Sequence, residues 1–291
     1  VKSAEVTTGE NLFIDGPIGK LAVRTKGLDT RPAKVVIMVQ GSNLTGQTMF
    51  DFSFPGGEDY SLMDALVAQG FGAITFAIRG YGASDAPEDG FNVTTETAME
   101  DLAAVMDWTA SQGWARPHLL GFSWGGRIAG RWAETNAERL DRLVLYDPAR
   151  GGGGLVLPAP THSWWTNTRE HYSEKLEPEF TDAALRNAIG DRVAATEFRS
   201  PNGIRLENAR PVVAIDPKRI TNPTLLVYGV EAAKAIYMKG GMERAEFFER
   251  LACDDKAFVI LPGGGDFLHF QQGRHRLSRT IGQFLSAAQV D

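Results

Sequence analysis

Short, continuous apolar runs alternate with helical stretches along most of the chain, and this alternation sets the class of fold. The segments "KVVIMVQG" (34–41), "FGAITFAIRGYG" (71–82), "RPHLLGFS" (116–123), "DRLVLYDPA" (141–149), "PTLLVYGV" (223–230) and "AFVILPGG" (257–264) read as strands. "KVVIMVQG" lacks the polar alternation of a half-exposed strand, as in a strand covered on both faces. Between the runs, "SLMDALVAQG" (61–70), "TTETAMEDLAAVMDWTASQG" (94–113), "GGRIAGRWAETN" (125–136), "MERAEFFERLA" (242–252) and "GRHRLSRTIGQFLSAA" (273–288) read as helices. The second begins with Thr, a capping residue, and is followed by Gly, which ends helices readily. Strands that alternate with helices require crossover connections, hence a mainly parallel sheet with helices on both faces. "NLFIDGPIGKLAVRT" (11–25) predicts an opening strand pair around a Gly-Pro turn.

One segment breaks the rhythm. Residues 148–222 hold "GGGG", several prolines, Trp164-Trp165 and short helical patterns such as "FTDAALRNAIG". The segment is too long for a simple connection. It predicts a cap, with 1–147 and 223–291 forming one core around it.

Composition narrows the partners. A net charge of -6 and a pI near 5.5, with basic residues scattered, speak against a nucleic-acid partner. The single cysteine, Cys253, excludes an internal disulfide. No apolar run reaches the roughly 18 residues of a membrane span. No signal-peptide pattern opens the sequence, so a cytoplasmic location is expected, while the first residue, Val1, leaves secretion open.

The chemistry is concentrated at "HLLGFSWGGRIAG" (118–130), where a buried strand turns into a helix through Gly121-Phe122-Ser123-Trp124-Gly125. A serine at the tip of so sharp a turn has a strained backbone, and a side chain two residues to either side would clash. The helix that follows aims its free amides and the positive end of its dipole at the serine, which favours negative charge developing there. Ser123 is therefore the candidate nucleophile.

These motifs resemble the α/β-hydrolase fold over nearly the whole chain. "MVQGSN" (38–43) takes the place of that family's His-Gly-x-Pro loop, "RGYGASD" (79–85) that of its Arg-Gly-x-Gly-x-Ser turn, and the cap that of its lid. The resemblance implies an α/β, mainly parallel eight-stranded sheet flanked by helices, with the cap inserted between strands 6 and 7. It implies an oxyanion hole made by the backbone amides of Ser42 and Trp124. Here Gln40 and Asn43 stand where the family usually has His and often has Pro.

In this fold the base lies in the loop after the last strand, where the family often reads Gly-x-Gly-His-x-x-His. The first histidine of that pattern aligns with Asp266 and the second with His269. His269 is the expected base, brought in by the freedom of Gly263–Gly265, with His275 behind it. His118 precedes the elbow, and His162 and His171 fall in the cap. The family's usual acid position holds Ala232, beside Glu231; a second family position, at the end of strand 6, holds Asp147. Asp147 is the expected acid and Glu231 the alternative.

Phe122, Trp164 and Trp165 suggest an apolar substrate pocket. The expected activity is serine-dependent hydrolysis of an ester or lactone of an apolar small molecule through an acyl-enzyme, with neither metal nor cofactor. The alternatives are an amidase or proline-iminopeptidase-like enzyme, a thioesterase, a C–C bond hydrolase, or a non-catalytic binder of the same fold. Glu170, Glu174, Glu177 and Glu179 would suit the peptidase if they faced the pocket. Oligomeric state is left open by the sequence.

Overall fold

The computed structural model describes residues 8–151, 158–211, 213–232 and 243–287. The last glycines of "GGGG" therefore lie outside the described residues.

The chain opens with β1 (Glu10–Gly16) and β2 (Gly19–Lys26), an antiparallel pair joined by a tight turn. Next come β3 (Val35–Val39), α1 (Gly46–Phe50), α2 (Leu62–Val67) and β4 (Gly72–Phe76). α3 (Thr95–Ser111) is capped by the Thr94 and Thr97 side chains in a reciprocal box and leads to β5 (His118–Phe122). α4 (Trp124–Ala133) and β6 (Leu143–Tyr146) follow. The next segment carries β7 (Trp164–Thr166), α5 (Arg169–Lys175), α6 (Ala183–Thr196), β8 (Arg199–Pro201) and α7 (Gly203–Glu207). The chain returns through β9 (Thr224–Gly229), α8 (Arg244–Glu249), β10 (Lys256–Leu261) and α9 (Arg274–Ser286).

Eight strands form one sheet in the order β1-β2-β4-β3-β5-β6-β9-β10, and β7 pairs with β8 in a separate ribbon. Within the large sheet, β1/β2 and β2/β4 are antiparallel and every other pair is parallel. The reason is visible in β3. Val35, Ile37 and Val39 enter one core cluster, Val36 and Met38 the other, and all five are fully buried. Because side chains alternate faces, an unbroken apolar run needs cover on both, which helices supply.

Some buried polar residues are paired. Arg79, in the "RGYGASD" turn, makes bonds of 2.7 to 2.9 Å from its guanidinium to Asp101 and a 2.9 Å bond from its own amide to the same carboxylate. Asp101 is fully buried. Ser84 of this turn donates to the Ala77 carbonyl and accepts from the Ala22 amide, so the motif is a structural clasp for β2 and β4.

Candidate active site

Ser123 ends β5 with φ 54° and ψ -115°, a left-sided backbone that L residues adopt only under strain. Neighbouring backbone holds it there. Its amide donates to the Tyr146 carbonyl at 3.0 Å, and its carbonyl accepts from Ala149 at 2.8 Å. A Cβ on Gly121 would run into the Gly125 carbonyl, and one on Gly125 into the carbonyls of Val39 and Gln40. The two glycines of the elbow are thus required by backbone packing.

Two amides stand free beside the serine. Neither the Ser42 nor the Trp124 N–H donates to a described residue. The loop carrying Ser42 is held from behind, where Tyr81 Oη donates to the Ser42 carbonyl at 2.8 Å. Gln40 Oε1 accepts from the Gly46 amide at 2.9 Å and faces the Ile78 amide at 3.4 Å. Gln40 therefore pins the loop by side-chain hydrogen bonds. A Cβ on Gly41 would sit 3.3 Å from the Phe122 ring and 3.4 Å from Ser123 Cβ, so only glycine leaves this approach uncrowded.

Ser42 and Ser123 line a small cavity of about 50 Å³ together with Gly41, Asn43, Met49, Phe122, Lys175, Asp266 and Phe267. Such a volume accepts only a few water-sized groups. Phe122 lines it as expected. Trp164 and Trp165 do not: they belong to the β7/β8 ribbon, under the guanidinium groups of Arg199 and Arg205 at 4.4 and 4.7 Å. The expected aromatic pocket is accordingly replaced by a mixed one.

The loop after β10 departs from expectation. Gly263 and Gly264 have φ of 95° and 154°. Gln271 Oε1 accepts from the Gly265 amide at 2.7 Å while Gln271 Nε2 donates to Glu177. This bend places Asp266 in the cavity. His269, in the 3-10 turn Leu268–Phe270, is not among the residues that line it and is 2% exposed. Its Nδ1 lies 2.9 Å from Tyr146 Oη, its Nε2 has no partner, and its ring packs against Phe50, Phe122, Phe267 and Phe270. Burial without a charge partner pushes its pKa down to about 3. The expected Ser123–His269–Asp147 relay is therefore not assembled: one turn past Asp266 the chain is already heading into the core.

Asp147 ends β6 with φ 42°, held by its amide bond to the Val227 carbonyl at 2.8 Å. Its carboxyl hydrogen-bonds that of Asp266. Burial, with this second carboxyl beside it, raises Asp147 well above the usual carboxylate range, against the opposing charges of Arg244 and Arg150. Glu231 stands on the turn after β9, its amide donating to the Gly264 carbonyl at 3.1 Å. Lys175, at the end of α5, was missed by sequence reasoning. Burial lowers its pKa, and nearby Arg205 adds to this against the attraction of Asp266.

A family model for the alpha/beta hydrolase fold matches residues 53–229. The chain belongs to the alpha/beta hydrolase fold family. The chain is also similar to particular relatives and solved structures. It is 27% identical over 247 residues, 76% of its length and 78% of the relative's, to a 2-hydroxy-6-oxononadienedioate/2-hydroxy-6-oxononatrienedioate hydrolase of Cupriavidus pinatubonensis. A serine hydrolase from the polyaromatic-hydrocarbon-degrading bacterium Cycloclasticus zankles superposes with a TM-score of 0.69 at 14% identity, covering 98% of this chain and all of that one. A meta-cleavage product hydrolase superposes with a TM-score of 0.69 at 17% identity, covering 95% and 98%. At those identities the two structures speak for the fold alone. Among the described residues of this alpha/beta hydrolase, no imidazole lines the cavity of Ser123.

Proposed function

We propose that this chain hydrolyses a small carbonyl compound with Ser123 as nucleophile and the carboxyl pair Asp266–Asp147 in the place usually held by an imidazole. The observation that carries the reading is the strained Ser123 backbone beside two unused amides and, across the same cavity, Asp266. Asp147 keeps a proton because two carboxylates in contact cannot both be charged. That proton bonds one oxygen of Asp266 and leaves the Asp266 carboxylate to face the cavity. As Ser123 Oγ attacks the carbonyl carbon, its proton passes to Asp266. The amides of Ser42 and Trp124 receive the oxyanion. Asp266 then returns the proton to the leaving group, and water repeats the sequence to release the acid.

The bond cleaved is that of an ester or lactone, or a carbon–carbon bond next to a carbonyl. The first relative is named for the hydrolysis of an oxo-dienedioate, which favours the second. The segment between β6 and β9 acts as the cap, since α5 delivers Lys175 to the cavity. The small, mixed cavity argues against the apolar substrate suggested by Phe122, Trp164 and Trp165. The test is labelling by a fluorophosphonate probe, with hydrolysis of short nitrophenyl esters and of a vinylogous 1,5-diketone acid measured beside it. Labelling at Ser123 and loss of turnover in Ser123→Ala are expected.

The absence of an imidazole from the cavity favours a second reading, a binder that has kept the hydrolase pocket. It predicts no labelling of Ser123 and unchanged ligand affinity in Ser123→Ala.

A further inference from the structure

Lys175 is the one cationic side chain among the described residues that line the Ser123 cavity. Its ammonium has no hydrogen bond and no carboxylate within ion-pair distance among the described residues. What it touches is aromatic: Nζ lies 5.6 Å from the Phe267 ring centre and 6.0 Å from that of Tyr172. Aromatic faces offset only part of the hydration an ammonium loses on burial. A second cation stands close behind. Arg205 Nη2 donates to Asn43 Oδ1 at 3.2 Å, and Asn43 itself lines the cavity.

From this geometry we infer that Lys175 is an anion subsite that selects substrates carrying a carboxylate a few bonds from the reacting carbonyl. The inference rests on the reading of the Ser123 cavity as the substrate site. The free amides of Ser42 and Trp124 mark one end of the bound molecule, and Lys175 marks the other. A cavity of about 50 Å³ leaves room for only a short connection between them. A carboxylate fits better than a phosphate dianion. Asp266 shares the cavity, and Asp147 and Glu177 flank it, so a second negative charge would be repelled. The same ammonium would repel the free amine of a peptide substrate. Of the four cap carboxylates, Glu177 is engaged with Gln271, and Glu170 and Glu174 are exposed.

The probe is 4-oxopentanoate compared with neutral 4-oxopentanamide, their binding to the full chain measured by calorimetry, so that no turnover is required. The acid should bind at least tenfold more tightly than the amide. Lys175→Gln should abolish the preference and Lys175→Arg should keep most of it. Equal binding of acid and amide, no detectable binding of the acid, or a preference that survives in Lys175→Gln would overturn the inference. Fluorophosphonate labelling separates this from a role of Lys175 in activating Ser123. Loss of labelling in Lys175→Gln with the acid preference intact would overturn the subsite and assign Lys175 to the activation of Ser123. Failure of the hydrolase reading shows elsewhere, as an unlabelled wild type.

Discussion

The carboxyl groups of Asp147 and Asp266 are hydrogen-bonded to each other, and Asp266 lies in the cavity that Ser123 lines. Asp147 is buried and held at a positive φ, so the pair is fixed by backbone at the end of β6 and by the glycine loop after β10. Such a pair titrates as a unit.

The pH profile follows from that pair. Turnover should fall on the alkaline side, because it requires the proton held by Asp147. The alkaline limb appears where the pair loses that proton, above the usual carboxylate range because Asp147 is raised well above it. Asp147→Asn donates an N–H to Asp266 at every pH, so the alkaline limb should disappear from its kcat/KM profile. An unchanged limb would show that other groups set it.

Asp147 and the buried histidines act on stability with opposite signs. Asp147 binds its proton more tightly folded than unfolded, so its contribution fades as pH rises from the unfolded carboxylate value through its raised folded value. Asp147→Asn should therefore raise the urea midpoint at pH 8. His269 and His118 are pushed down by burial from the usual 6.5 to about 3 and about 4. They stay neutral when folded while the unfolded chain protonates, so stability should fall as pH drops below about 6.5, by a few kcal/mol in total. Urea titrations between pH 7 and pH 4 check this, and His269→Phe should flatten the slope.

Removing a buried partner should be costly at Arg79. Arg79→Ala would strand the fully buried Asp101 carboxylate and should destabilise by about 3–5 kcal/mol, read as a lower urea midpoint. Lys is not an adequate replacement, because the Nε and Nη2 donors that converge on Asp101 Oδ1, with Nη2 also reaching Glu100, need the planar guanidinium.

At the elbow, Gly125→Ala should fail in a different way. Its Cβ would enter the carbonyls of Val39 and Gln40, so β3 and α4 must separate. The expected result is a chain that folds poorly or not at all, and unlabelled Ser123 in whatever remains folded.

The architecture was legible because its signals are local. Apolar runs such as "VVIMV" need two covered faces, and Gly121 and Gly125 bracket a turn that few chemistries other than an elbow require. Ser42, Trp124 and Asp147 could be placed by their order relative to strand ends. His269 could not. Its match to a histidine in a family pattern says nothing about which way a ring points after three glycines, and here Tyr146 Oη and four aromatic rings hold it inward. Asp266, which aligns with the family's usual base, lines the cavity. Lys175 gave no signal at all: a lysine near the end of a short helix looks like a solvated one until α5 is seen over the cavity. Trp164 and Trp165 misled for the converse reason, since aromatic residues cover a ribbon as readily as they line a pocket.

The central claim is that Ser123 is served by Asp266 and not by His269. Its most direct measure is the fluorophosphonate labelling rate of Ser123 at the pH optimum in wild type, Asp266→Asn and His269→Gln, each checked to be folded. The account predicts a fall of roughly 10²–10⁴-fold in Asp266→Asn, the usual size of a general-base effect, and a rate within a few-fold of wild type in His269→Gln. Full labelling of Asp266→Asn together with loss in His269→Gln would contradict it.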